Sequence, residues 1–151
     1  MKILTVEGPR EDTISRVMST PVTTMKATDP VLLAARKMVR QDIGSIVVLE
    51  GKAPVGIVTE RDVTRLVAKG NRALKAAAKK VMSKLRVTAA PETSVQHAFE
   101  LMLQNKVRRL PVLDNGKLVG IVTEKDLMRW VLRVSYEPNI PAHIKDILGT
   151  H

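Results

Sequence analysis

Apolar positions in this chain alternate between two rhythms, one helical and one extended, and the alternation occurs twice. Val31, Ala34, Ala35, Met38 and Val39 fall at helical spacing behind Asp29-Pro30, which predicts a helix with an acidic N-cap and proline in its first position. That helix should stop near Gln41-Asp42, with Gly44 beyond it. Ser45 to Leu49 is a short continuous apolar run suited to a buried strand, Glu50-Gly51-Lys52 is turn chemistry, and Pro54 to Val58 is the returning strand. A helix from Glu60 to Lys69 follows, with Val63, Leu66 and Val67 on one side and Gly70 as its stop. The second half repeats this order. Thr93 or Ser94 caps a helix carrying Val95, Ala98, Phe99, Met102 and Leu103, and Leu110 to Leu113 is a strand. Asp114-Asn115-Gly116 is a tight hairpin turn, because Asn-Gly readily takes positive φ. Lys117 to Thr123 is the next strand and Glu124 to Val134 the closing helix.

The repetition is in register. Gly56-Ile57-Val58-Thr59-Glu60-Arg61-Asp62 returns as Gly120-Ile121-Val122-Thr123-Glu124-Lys125-Asp126, and Val17-Met18-Ser19 returns as Val81-Met82-Ser83, each at an offset of 64 residues. We therefore expect an α+β fold of two β-α-β-β-α repeats, packed sheet to sheet about a pseudo-two-fold axis with a cleft between them. The expected boundaries are a lead-in over 1–16, repeat 1 over 17–70, a linker helix over 71–80, repeat 2 over 81–134 and a tail helix over 135–151. Within the lead-in, Gly8-Pro9 suggests an extended piece, and Asp12 with Thr13 caps a brief helix. Pro138 and Pro141 end the second copy ahead of a short helix from Ala142 to Leu148.

Composition narrows the chemistry. The chain has 151 residues, 44% of them hydrophobic and 26% charged, which is a globular balance. One Trp, one Tyr and one Phe leave the core to aliphatic side chains. Cysteine is absent, which removes disulfides, thiol catalysis and cysteine metal sites. No apolar run suits a membrane span, and the charged start does not suit a secretory signal, so we expect a cytoplasmic protein. The net charge of +10 is uneven: Arg72, Lys75, Lys79, Lys80 and Lys84 follow one another between Lys69 and Arg86 with no acid among them. Such a run is either a solvated face or an attractor for anions.

The repeated Gly-h-h-Thr-x-x-Asp also has two readings. Thr-x-x-Asp between a strand and a helix is close to a capping box. A cap needs no preceding glycine, however, and Gly56 and Gly120 leave room for a close approach to the backbone. The two roles are compatible, since a helix N-terminus also offers free N–H groups to a phosphate.

These residues carry a resemblance. Val17-Met18, Gly44-Ser45-Ile46-Val47-Val48, Arg108-Arg109-Leu110-Pro111-Val112-Leu113-Asp114 and both signatures make the chain, from about Val17 to Val134, similar to a tandem pair of CBS domains, a Bateman module. The resemblance implies a regulatory site for an adenosyl ligand (AMP, ADP, ATP or S-adenosylmethionine) and no required cofactor. It assigns the ribose hydroxyls to Asp62 with Thr59 at one site and to Asp126 with Thr123 at the other. Arg61 and Lys125 stand where a phosphate is met, and the adenine lies near Val22 with Thr23 and Val87 with Thr88, supported by Ile57 and Ile121. Arg108 and Arg109 stand where repeat 1 has Gly44 and Ser45, and the resemblance places this position in the site of the other repeat's aspartate. The Asp62 site should then prefer phosphorylated ligands, because guanidinium groups clamp phosphate and Gly-Ser does not.

Nothing in the sequence argues for catalysis. His97, His143 and His151 lack metal-ligand spacing, and no phosphate-binding loop or nucleophile elbow is present. Trp130 and the methionines fall at helical spacing and read as core or dimer packing. We expect a non-enzyme that signals to a separate effector protein and, by the resemblance, a homodimer formed through helices. The competing expectation is a basic nucleic-acid-binding module, which the scarcity of aromatic stacking platforms weakens. An adaptor with an empty cleft is the third, and an aspartate in both signatures speaks against it.

Overall fold

A computed structural model describes residues 12–136, so the expectations for Gly8-Pro9, the two late prolines, His143, His151 and the tail helix lie outside the described residues. A short 3-10 helix, Ile14–Arg16, comes first. Then follow β1 (Thr24–Lys26), α1 (Val31–Gln41), β2 (Ser45–Glu50), β3 (Ala53–Thr59) and α2 (Glu60–Ala68). After a connector come α3 (Ala78–Val81), β4 (Ser83–Lys84), α4 (Val95–Asn105), β5 (Arg109–Asp114), β6 (Lys117–Thr123) and α5 (Glu124–Tyr136). Among the described residues no helix is long and apolar enough to cross a membrane.

The two repeats build matching sheets. The first has the order β1-β2-β3-β4, parallel between β1 and β2 and antiparallel elsewhere. In the second, β5 and β6 are antiparallel, and single bridges from Ala89 to Val112 and from Ser19 to Ile121 mark where the outer strands run. Each sheet is thus completed by the lead segment of the other copy: Ser83 pairs with Ile57, and Ser19 pairs with Ile121. Helices cover one face of each sheet, around Ile46, Val48, Val58, Val31, Ala34 and Met38 in the first unit and Leu110, Val112, Val122, Val95, Ala98 and Met102 in the second. Val47 and Pro111 point from the opposite faces by strand alternation, yet both are fully buried, so the sheets cover one another.

Both first helices of a repeat end in the same device. Asp42 and Lys106 take the left-handed conformation, at φ 52° and 53°. Ile43 N–H then donates to the Met38 carbonyl at 3.1 Å and Val107 N–H to the Met102 carbonyl at 3.0 Å, a Schellman closure with an apolar contact behind it. Asn115 and Gly116 take positive φ in the hairpin, as their sequence predicts.

Several local expectations are corrected. Asp29 is not the cap of α1; its carboxylate accepts from Lys26 N–H at 2.9 Å, and Pro30 holds the N-cap position. Val39 and Leu103 lie outside the buried stripes, and Val67 is half exposed. The expected helix over 71–80 is broken into a 3-10 turn, Asn71–Lys75, and the four residues of α3. Ala78 N–H donates to Asp29 O at 2.8 Å and Lys79 N–H to Ala27 O at 3.0 Å, and these long-range bonds override the helix propensity of an Ala- and Lys-rich segment. Thr13 precedes the first 3-10 helix without a side-chain cap bond, and Asp12 instead accepts from Trp130 Nε1–H at 2.7 Å.

Candidate functional site

The signature glycines are needed for packing. A Cβ on Gly56 would meet Met82 Cγ at 2.8 Å, and one on Gly120 would meet Met18 Cγ at 2.9 Å. The close approach expected at these positions is therefore made by a methionine of the exchanged lead segment.

Beyond each glycine the strand ends in a cap. Asp62 Oδ2 accepts from Thr59 N–H at 2.8 Å and from the Thr59 hydroxyl at 3.0 Å, while Asp62 N–H donates weakly to Thr59 Oγ1 at 3.4 Å. In the second copy Thr123 N–H donates to Asp126 Oδ2 at 2.9 Å and Asp126 N–H to Thr123 Oγ1 at 3.2 Å. In each copy the cap bonds given by the threonine go to Oδ2 of the aspartate. Asp126 Oδ1 has Arg129 Nη1 at 3.9 Å; the matching Arg65 is exposed. The cap and a ligand role therefore remain compatible in the same aspartate.

A cleft of about 150 Å³ lies beside the first cap, walled by Ile57 and Thr59 from β3, Val87 from the chain entering repeat 2, and Arg108, Arg109 and Pro111 from the start of β5. Residues of both repeats meet here. Arg109 crosses to the first repeat: a Cβ on Gly44 would meet its Nη2 at 3.3 Å and Glu60 Oε2 at 3.5 Å. Arg108 is more exposed and stands 3.9 Å from Glu124 Oε2 in its own repeat.

Of the residues singled out from the sequence, Ile57, Thr59, Val87, Arg108 and Arg109 are brought together, with Asp62 bonded to Thr59. Arg61 is exposed on the first turn of α2, and Thr88 is exposed beyond Val87. Ile121, Thr123 and Asp126 form the matching strand end of the other repeat, and Lys125 is exposed there. Val22 and Thr23 are half-buried ahead of β1, where the Thr23 hydroxyl donates to Gln41 Oε1. Sequence reasoning missed Ser83, Lys84, Leu85, Arg86 and Val107, which also line the cleft. Their position follows from the exchange of lead segments; the signals were that Ser83 belongs to the repeated Val-Met-Ser and that Lys84 and Arg86 end the acid-free basic run.

Comparison with known proteins identifies the family and the fold. A family model described as CBS domain matches twice, over residues 14–69 and 78–133. An uncharacterized protein of Methanopyrus kandleri is 35% identical over 140 residues, 91% of this chain and 68% of that protein. The CBS domain-containing protein YhcV of Bacillus subtilis is 33% identical over 114 residues, 76% of this chain and 81% of its own length. Among solved structures, the CBS domain pair of protein MJ0100, in complex with 5′-methylthioadenosine and S-adenosyl-L-methionine, shares the fold with a TM-score of 0.72 at 24% identity. The match covers 80% of this chain and 96% of that one.

Proposed function

The chain belongs to the CBS-domain family, and from that premise we propose that it is a cytoplasmic regulatory module, not an enzyme. It binds an adenosyl ligand between its repeats and signals to a separate effector protein. The observation that carries this reading is the cleft in which Ile57, Thr59 and Val87 meet Arg108 and Arg109. Apolar walls for a base, an aspartate with one oxygen outside its cap, and two guanidinium groups match the three parts of a nucleotide. The MJ0100 pair, which shares the fold, holds adenosyl ligands in its complex. The Asp62 cleft takes the phosphorylated ligand, and the Asp126 side, with Gly44 and Ser45, binds more weakly. The working form is a homodimer assembled through the helices.

Thermal melting with about 1 mM AMP, ADP, ATP or S-adenosylmethionine tests this, with a short DNA duplex alongside. A ligand binding ~100-fold below that concentration stabilises the fold by about 2.7 kcal/mol. For a chain of this size the midpoint rises by roughly 5–10 °C. We expect such a shift with a nucleotide and its loss in Asp62→Ala. A shift with duplex alone would reduce both signatures to helix caps.

A further inference from the structure

We infer that the Asp62 cleft selects adenosine di- and triphosphates over sulfonium nucleosides, and that Lys84 and Arg86 extend the phosphate site begun by Arg108 and Arg109. This rests on the adenosyl reading above and concerns what that reading leaves open, the charge class of the ligand and the residues that set it.

Charge is the first observation. The cleft lining contains four cationic side chains, Lys84, Arg86, Arg108 and Arg109, against the bordering carboxylates of Glu60 near Arg109, Asp62 on Thr59 and Glu124 at 3.9 Å from Arg108. A sulfonium nucleoside such as S-adenosylmethionine brings a sulfonium and an ammonium group into that field, whereas a polyphosphate brings the opposite sign.

Size is the second. The half-open cleft, of about 150 Å³, is below the roughly 300–1,000 Å³ typical of ligand pockets. Base and ribose fill it, and a phosphate chain must run outward over the rim. Lys84, Arg86 and Arg108 are the exposed cations of the lining, so they are the charges such a chain meets. Among the described residues neither Lys84 nor Arg86 is in an ion pair. The backbone that carries them is held at both ends: Lys84 pairs with Gly56, Leu85 N–H donates to Val55 O at 3.2 Å, and Val87 packs on the second core.

The bland explanation is that an edge strand carries cations to discourage aggregation. The duplication tests it internally. At the offset of 64 residues, Lys84, Arg86, Arg108 and Arg109 correspond to Thr20, Val22, Gly44 and Ser45. The other lead segment also borders a sheet, through Ser19 and Ile121, yet has no cation at the matching positions. Edge protection would apply to both copies. The four charges instead occur together on one side, around one cleft.

Calorimetric titration of the full chain with ATP, AMP, S-adenosylmethionine and inorganic tripolyphosphate, at about 0.15 M salt, decides the matter. One further charge-assisted contact corresponds to about tenfold in affinity, so ATP should bind at least about tenfold more tightly than AMP. S-adenosylmethionine should bind more weakly than AMP. In Lys84→Gln/Arg86→Gln the ratio of ATP to AMP affinity should shrink to within about threefold. Both side chains are exposed, so an unshifted melting temperature verifies the variant's fold. S-adenosylmethionine binding as tightly as AMP, or an ATP advantage that survives in the double variant, overturns the inference and leaves the adenosyl reading intact. Tripolyphosphate binding as tightly as ATP, with AMP showing none, overturns the adenosyl reading and this inference with it.

Discussion

Met82 lies directly on Gly56, with its Cγ 2.8 Å from where a Cβ would stand, and the Ser83 carbonyl oxygen is equally close to that point. The lead segment of the second repeat is thereby locked onto the sheet of the first, at the strand whose next residues, Ile57 and Thr59, wall the cleft. Gly56→Ala must push both the thioether and the β4 backbone away. A cost of about 1–3 kcal/mol is expected for such overpacking. Gly120→Ala meets only the Met18 side chain, at 2.9 and 3.3 Å for Cγ and Cβ, and should cost less because a methionine can re-pack. Urea denaturation of the two variants gives the comparison; equal losses would show that backbone crowding at Ser83 is not the source.

The aspartates separate cap from ligand. Asp62→Ala and Asp126→Ala each remove a bond to the threonine backbone N–H, of 2.8 and 2.9 Å, and should each lose about 1 kcal/mol of stability. Only Asp62→Ala should abolish nucleotide binding in the cationic cleft. Parallel denaturation and titration would show this, and equal binding losses in both variants would contradict the unequal clefts.

How far the sequence reached can be stated residue by residue. The order of elements was legible because the repeat shows each pattern twice and because local chemistry agreed with it, as at Ser94, whose hydroxyl accepts from His97 N–H at 3.1 Å. What was illegible depends on partners distant in sequence. Asp29 carries cap chemistry but is drawn into a turn with Lys26, and the 71–80 segment has helix propensity but bonds to Ala27 and Asp29. Val39 and Leu103 continue the apolar spacing of their helices but are exposed. At the site, Thr59 and the two arginines were visible from the motif and from the difference between copies. Lys84 and Arg86 were not, because they reach the cleft only through the exchange of lead segments.

Arg109 is the side chain that crosses between repeats. Arg109→Glu places a carboxylate beside Glu60 and Thr59 and should weaken AMP binding by at least about tenfold. Titration of Arg109→Glu with AMP checks the assignment, and an unaffected affinity would remove the arginine from the site.

Lys106 closes α4 at φ 53° with an ordinary side chain. A left-handed L-residue costs roughly 1–2 kcal/mol, which glycine avoids. After the extra entropy of glycine in the unfolded chain, Lys106→Gly should gain about 0.5–1 kcal/mol and raise the melting midpoint by roughly 2–4 °C. Lys106→Ala keeps the strain and should not.

Val39 and Leu103 are 85% and 76% exposed, and they occupy the same place in the two copies, on α1 and α4. A matched pair of apolar side chains on both halves of a pseudo-symmetric unit suits the self-complementary surface of a two-fold dimer. It supports the proposed assembly through helices and not through the sheets, whose facing sides are already buried between the repeats. Val39→Asp/Leu103→Asp should convert a dimer to a monomer in sedimentation velocity. Both positions are solvent-facing within one chain, so monomer stability should change by no more than about 0.5 kcal/mol. A dimer that persists with both charges in place would move the interface to another face. A wild-type chain that sediments as a monomer would remove the homodimer from the proposed function while leaving the cleft and its ligand untouched.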